Sequence, residues 1–160
     1  MPSKAEGALE RFQKYLGQEE GVGTWHQVEQ SQISLFADAT GDHQFIHVDP
    51  EKAAQLSPYK VTIAHGFLTL SLIPFLTASI APVDPQAYDG LAMGINYGLD
   101  KLRFPAPVKV NSRVRARREL VSAELKAENT LQIKQKVTVE IEDEAKPACV
   151  AECLTRLIYG

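Results

Sequence analysis

Asp42, His43, His47 and Asp49 fall within eight consecutive positions, in the stretch ADATGDHQFIHVD at 37–49. An aspartate followed five residues later by a histidine can aim a carboxylate and an imidazole at one small volume. With a water between them, such a pair can take a proton from it and return one elsewhere, which is general acid–base chemistry. Two other readings stay open on local chemistry alone. Asp42 could cap a turn while His47 is a satisfied polar side chain. His43, His47 and Asp49 could also ligate a metal ion, although no further cluster of ligand residues accompanies them.

These side chains need elements that hold them. Ser31 reads as the N-cap of a helix carrying Ile33, Phe36, Ala37 and Thr40 on one face. Gly41 suits the left-handed residue past its end. Asp49-Pro50 restarts a helix, with Asp as N-cap and Pro at the first helical position. Residues 42–48 are therefore expected to form a tight loop between two capped helices.

Upstream, residues 4–16 carry Ala8, Leu9, Phe12 and Leu16 at helical spacing, which predicts an N-terminal helical extension over about 1–20. Gly17 to Gly23 breaks it, and Thr24–Gln30 reads as a strand. Downstream, His65-Gly66 opens the apolar run FLTLSLIPFLTASIA, predicting a helix over 67–80 that is enclosed on every side. Residues 82–90 are a Pro/Asp/Gly loop. From Leu91 the chain reads as strand, with three long segments at 111–123, 129–142 and 147–159. Glu128-Asn129 and Glu144-Ala145-Lys146 separate them, and such short connections favour an antiparallel sheet. One buried helix against one such sheet is an α+β plan.

The chain has 160 residues, which fits a single domain spanning 1–160. With a net charge of −3 it lacks the basic balance of a protein that wraps nucleic acid. The start, MPSKAEGALERFQKYLG, has no apolar segment of the kind a secretory leader carries. The run from Phe67 to Ala81 falls short of the roughly twenty residues a spanning helix needs, and no membrane segment is expected. Cys149 and Cys153, four residues apart on one strand, would lie roughly 13 Å apart, too far for a disulfide. Free thiols suit a reducing compartment, so a cytoplasmic location is expected.

GDHQFIH resembles the hydratase signature of the MaoC-like dehydratase family, the (R)-specific enoyl-CoA hydratases of hot-dog fold. Gly41, Asp42, Ile46 and His47 match the pattern Gly-Asp-x-Asn-Pro-aliphatic-His, while Gln44 and Phe45 replace Asn-Pro. The branch similar to nodulation protein N carries a His-Gln-aromatic-Ile-His version. IAHGFLTLSLIP at 63–74 is similar to the family's His-Gly start of the central helix, and NYGLDKLRFPAPVKVNSRVRA at 96–116 resembles the strand and turn that follow. The likeness runs from about residue 24 to 159.

The resemblance implies a hot-dog fold: an antiparallel sheet wrapped around a central helix at about 65–80, paired as a homodimer. It implies reversible syn hydration of trans-2-enoyl thioesters to (R)-3-hydroxyacyl thioesters, with Asp42 and His47 handling protons. The Gly66 amide would face the thioester oxygen, an oxyanion-hole role. The substrate would be an acyl-CoA or acyl carrier protein thioester, with no metal or redox cofactor. His65 reads as a cap or hydrogen-bond partner. Arg113, Arg115 and Arg117 share one strand face, with Arg118 and Lys109 nearby; they and Arg103 could meet coenzyme A phosphates, or form a solvated face. Asn96 and Tyr97 could line an acyl tunnel or belong to the core. Two rival functions remain: a hot-dog acyl-CoA thioesterase, against which the Asp-to-His spacing speaks, and an acyl-thioester-binding subunit without turnover.

Overall fold

Alternation of apolar residues in the C-terminal half builds a sheet with one buried face. In the computed structural model, which describes residues 1–160, the strands are β1 (Glu19–Val22), β2 (His26–Gln27), β3 (Leu91–Arg103), β4 (Arg113–Ala127), β5 (Thr130–Ile141) and β6 (Cys149–Tyr159). They form one antiparallel sheet in the order β1-β4-β5-β6-β3, with β2 also beside β4. Val114, Ala116 and Leu120 of β4 point inward, as do Leu131, Ile133, Val137, Val139 and Ile141 of β5.

The helices are α1 (Lys4–Gln13), α2 (Gln30–Thr40), α3 (Phe45–Val48), α4 (Pro50–Leu56), α5 (Gly66–Ser71) and α6 (Ile73–Thr77). Leu68, Leu72, Ile73 and Leu76 of the α5–α6 segment pack on Val114, Ala116, Val137 and Val139 of the inner face. Farther along the same face, Ala5, Ala8 and Phe12 of α1 cover Leu120, Leu131, Ile133 and Leu157. The architecture is the expected α+β hot-dog plan. Leu131 is fully buried in the second cluster. Leu131→Ala should cost about 2–5 kcal/mol, because the cavity it leaves cannot fully collapse; a lowered denaturation midpoint in urea, at unchanged slope, would report it.

Several elements differ from the expectation. The helix expected at 67–80 is two shorter helices that meet at Leu72. Pro74 lacks the N–H that would continue the ladder, so the bonding pattern is interrupted. Nor is that segment enclosed on every side, since Phe75 is 61% exposed and Phe67 is exposed with it. The helix expected from Ser31 starts at Gln30, with Glu29 as an N-cap that makes no side-chain bond. Residues 42–48 are not all loop, because Phe45–Val48 makes one helical turn. The strand expected over 24–30 shrinks to His26–Gln27, and β1 occupies part of the glycine-flanked stretch read as a break. Helix α1 ends at Gln13, ahead of the turn that leads to Gly17 at φ 77°.

Cys149 and Cys153 are unpaired, and burial pushes the Cys149 thiol up to about 11. No helix is long and apolar enough to cross a membrane.

Candidate active site

The site forms where the end of α2, the α3 turn and the start of α5 meet. Gly41 ends α2 in the left-handed region at φ 84°, where its N–H donates to the Ala37 carbonyl at 2.8 Å. The chain then turns through Asp42, whose Oδ1 accepts from the Gln44 N–H at 3.3 Å. Gln44 caps α3, and that single turn brings His47 inward to 7% exposure.

His47 is fixed in orientation and tautomer. Its Nδ1–H donates to the Ile63 carbonyl at 2.7 Å, which leaves the lone pair on Nε2. Ile63 is itself held, since its N–H donates to the Ile46 carbonyl at 2.9 Å. Gln30 ties α2 into the same assembly: its Nε2 donates to the His47 carbonyl at 2.8 Å, and its Oε1 accepts from Thr62 Oγ1 at 2.5 Å. This role explains why helix α2 must start one residue before Ser31. Burial lowers the His47 pKa from its ordinary value, and the neighbouring His65 lowers it further.

His65 lies against both Asp42 and His47. It is only 3% exposed, its ring stacks on that of His47 with centroids 3.8 Å apart, and its Nε2–H donates to the Asp42 carbonyl at 2.9 Å. Its Nδ1 is buried without a partner. The expectation of a hydrogen-bond partner is met, but the stacking on His47 was invisible in the sequence. One donor or acceptor atom each from Asp42, His47 and His65 lie within 4.8 Å of one another. The two imidazole rings are stacked at an interplanar angle of 24°.

The alternative metal trio is not assembled. His43 is on the surface and meets Asp38 at 2.8 Å, a contact that raises its pKa. Asp49 caps α4 by accepting from the Lys52 N–H at 2.9 Å.

Gly66 is the first residue of α5, and its N–H has no intrahelical acceptor. A Cβ at this position would sit 3.1 Å from the Phe104 ring, so a glycine lets ring and helix terminus approach closely. His47, Gly66, Thr69 and Phe104 line a cavity of about 240 Å³. Arg103 precedes Phe104 in sequence, is exposed, and donates from its guanidinium to the Leu102 carbonyl at 2.7 Å.

The other arginines are elsewhere. Arg113, Arg115 and Arg117 alternate with the inward residues of β4 and so occupy the outer face. Arg113 pairs with Glu142 at 3.2 Å, Arg115 with Glu140 at 2.8 Å, and Arg117 with both Glu140 and Glu19. The Arg115 guanidinium also lies 4.3 Å from the centre of the Trp25 ring. The fold thus brings Asp42, His47 and Gly66 together with His65, but not Arg113 or Arg115.

A sheet wrapped on a central helix, with a carboxylate and a locked imidazole at that helix's start, defines a hot-dog protein. Residues 11–145 match the model of the MaoC like domain, and the chain belongs to that family. It is 51% identical over 142 residues to 3-hydroxyacyl-thioester dehydratase Z of Mycobacterium tuberculosis, covering 89% of this chain and 90% of that one. It is 50% identical over 140 residues to nodulation protein N of Rhizobium leguminosarum bv. viciae, covering 88% and 84%. Among solved structures, unliganded R-hydratase PhaJ1 from Pseudomonas aeruginosa superposes with a TM-score of 0.67 at 25% identity, covering 99% of this chain and 86% of that one.

Proposed function

We propose that this protein is a hydro-lyase that adds water reversibly to trans-2-enoyl thioesters, giving (R)-3-hydroxyacyl thioesters. The observation that carries this reading is the position of the tautomer-locked His47, which lies within 4.8 Å of Asp42 and shares a cavity wall with Gly66, whose N–H is unbonded. The 51% identity to a named 3-hydroxyacyl-thioester dehydratase supports it.

In this reading a water lies between Asp42 and His47. His47 Nε2 takes one of its protons while the oxygen bonds to C3. The thioester oxygen gains enolate charge, and the Gly66 N–H donates to it. C2 then takes a proton from the same side, supplied by the Asp42/His47 pair, so that the net addition is syn. The thioester belongs to coenzyme A or an acyl carrier protein, and the exposed Arg103, next to the cavity-lining Phe104, meets its phosphate. The test is a spectrophotometric assay with crotonyl-CoA and longer enoyl-CoAs, because hydration removes the conjugated chromophore. Loss of that absorbance with an (R) product on chiral chromatography supports the reading. Release of free thiol without a hydroxyacyl product would instead indicate a thioesterase.

His47 must be neutral to accept a proton. Since burial lowers its pKa, kcat/KM should hold steady as pH falls to the ordinary imidazole value of 6.5 and decline only below it. The sign for stability is the same. An unfolded chain takes up this proton first, so stability is present above 6.5 and lost as pH falls through the depressed folded value. A pH–rate profile with its acid limb at or above 6.5 would contradict the assignment.

The functional unit in this reading is a homodimer. Strand β3 ends the sheet order and leaves Met93, Ile95, Tyr97 and Leu99 exposed. A second copy laid along this edge would pair its free backbone groups and cover those side chains. Light scattering should return twice the 17.7 kDa chain mass. An active species at the single-chain mass would refute it.

A further inference from the structure

The inner face of the sheet is apolar at both ends and polar across its middle. One end packs under α5 and α6, the other under α1. Between them the inward alternation places Arg118 on β4, Gln135 on β5 and Thr155 on β6. All three line a cavity of about 670 Å³, whose opposite wall includes Leu70, Ile73 and Thr77.

The polar row is not self-satisfied. Glu20 is buried and accepts from Gln135 Nε2 at 2.7 Å. Arg118 Nε is buried 3.4 Å from Glu20 Oε1, an ion pair without a well-formed hydrogen bond. The Arg118 side chain is 14% exposed, and that remaining surface opens on the cavity. The terminal N–H groups of that guanidinium have no hydrogen-bond acceptor in the protein, and at the wall of a chamber they form a receptor for an oxygen acceptor.

The chamber is placed to receive an acyl chain. Gly66, Thr69, Ile73 and Thr77 recur at spacings of three and four along one stripe of the helical segment. Leu72, where α5 passes into α6, keeps a right-handed helical backbone, so the stripe is continuous. Gly66 and Thr69 line the cavity beside His47, while Ile73 and Thr77 line the larger one. A thioester seated at Gly66 would run its chain along this stripe toward Arg118.

We propose that the far end of this chamber selects acyl chains bearing an oxygen function remote from the thioester, which accepts hydrogen bonds from Arg118. The inference rests on the enoyl-thioester reading above. A plain alkyl tail would strip water from the guanidinium and leave its N–H groups unpaired. A hydroxyl, oxo or carboxylate group would complete them. Sites built around a polar partner reject analogues that lack it far more strongly than apolar pockets reject an extra methylene.

The test compares trans-2-enoyl-CoA substrates ending in methyl, hydroxyl, oxo or carboxylate, matched at the chain length of highest turnover. At least one oxygenated substrate should exceed the methyl-terminated one in kcat/KM by about tenfold or more, and the group that does so identifies the ligand. Calorimetric binding of the saturated acyl-CoA series should show the same order without turnover. In the double variant Arg118→Met/Glu20→Gln, which leaves no uncompensated carboxylate, the ratio should collapse. Hydration of all substrates with no oxygen preference would overturn the receptor and leave the hydratase reading standing. Oxygen-selective binding with no hydration of any substrate would do the reverse. A preference that survives intact in the double variant would remove Arg118 from the receptor.

Discussion

Asp42→Asn and His47→Gln are each expected to lower enoyl-thioester turnover by about 10²-fold or more, with the fold intact. Asn keeps the side-chain oxygen that accepts from Gln44, so the turn survives while the carboxylate is lost. Gln at position 47 can still donate to the Ile63 carbonyl, but it offers no basic nitrogen. The two variants should melt close to the parent protein and show unchanged circular dichroism. Near-native kcat in either purified variant would take that residue out of the mechanism. The acid limb of the rate profile should also vanish in His47→Gln, because the group responsible for it is gone.

The second large effect is expected at His65, which need not touch substrate. It fastens the Asp42 backbone through Nε2 and supplies the surface on which the His47 ring rests. His65→Leu removes both, and displacement of either reactive group by a fraction of an ångström should cut kcat by about tenfold or more. It also removes the neighbour that lowers the His47 pKa, so the acid limb should move toward higher pH. His65→Gln retains a donor and should recover part of the rate. A merely structural role would change the melting temperature and leave the rate profile where it was, which is how the two explanations separate.

The closeness of Asp42 and His47 was legible in the sequence because its logic is local. Asp42 and His47 lie five residues apart, Gly41 marks a helix end, and Asp49-Pro50 marks the next start. The three long strands were legible for a similar reason, since alternation and short turns are properties of contiguous chain. What escaped depends on contacts far apart in sequence. Helix α3 is one turn of four residues, too short for periodicity to register. Helix α2 begins where Gln30 must reach His47 and Thr62, a requirement that Ser31's capping preference could not reveal. The arginines of β4 share a face as expected, but only the sheet's pairing shows that Glu140 and Glu142 oppose them there. His65 was a cap by its position and became a stacking partner only once residues 42–47 folded over it. Similarly, only the β4–β5 register makes Arg118 and Gln135 diagonal neighbours, with Arg118 opposite Val137 and Gln135 opposite Leu120.

Strand β3 carries a further consequence, for thermodynamics. Thirteen residues of backbone at the margin of the sheet, with apolar side chains on show, form an adhesive border. A second copy that occupies that border binds only the native chain, and so adds its binding free energy to native stability by mass action. The melting temperature then ceases to be a constant of the molecule and rises with protein concentration. Dilution of the proposed dimer would both loosen the fold and bare a strand able to pair with the wrong neighbour, so the edge that would complete that assembly would also set the concentration below which the protein is at risk.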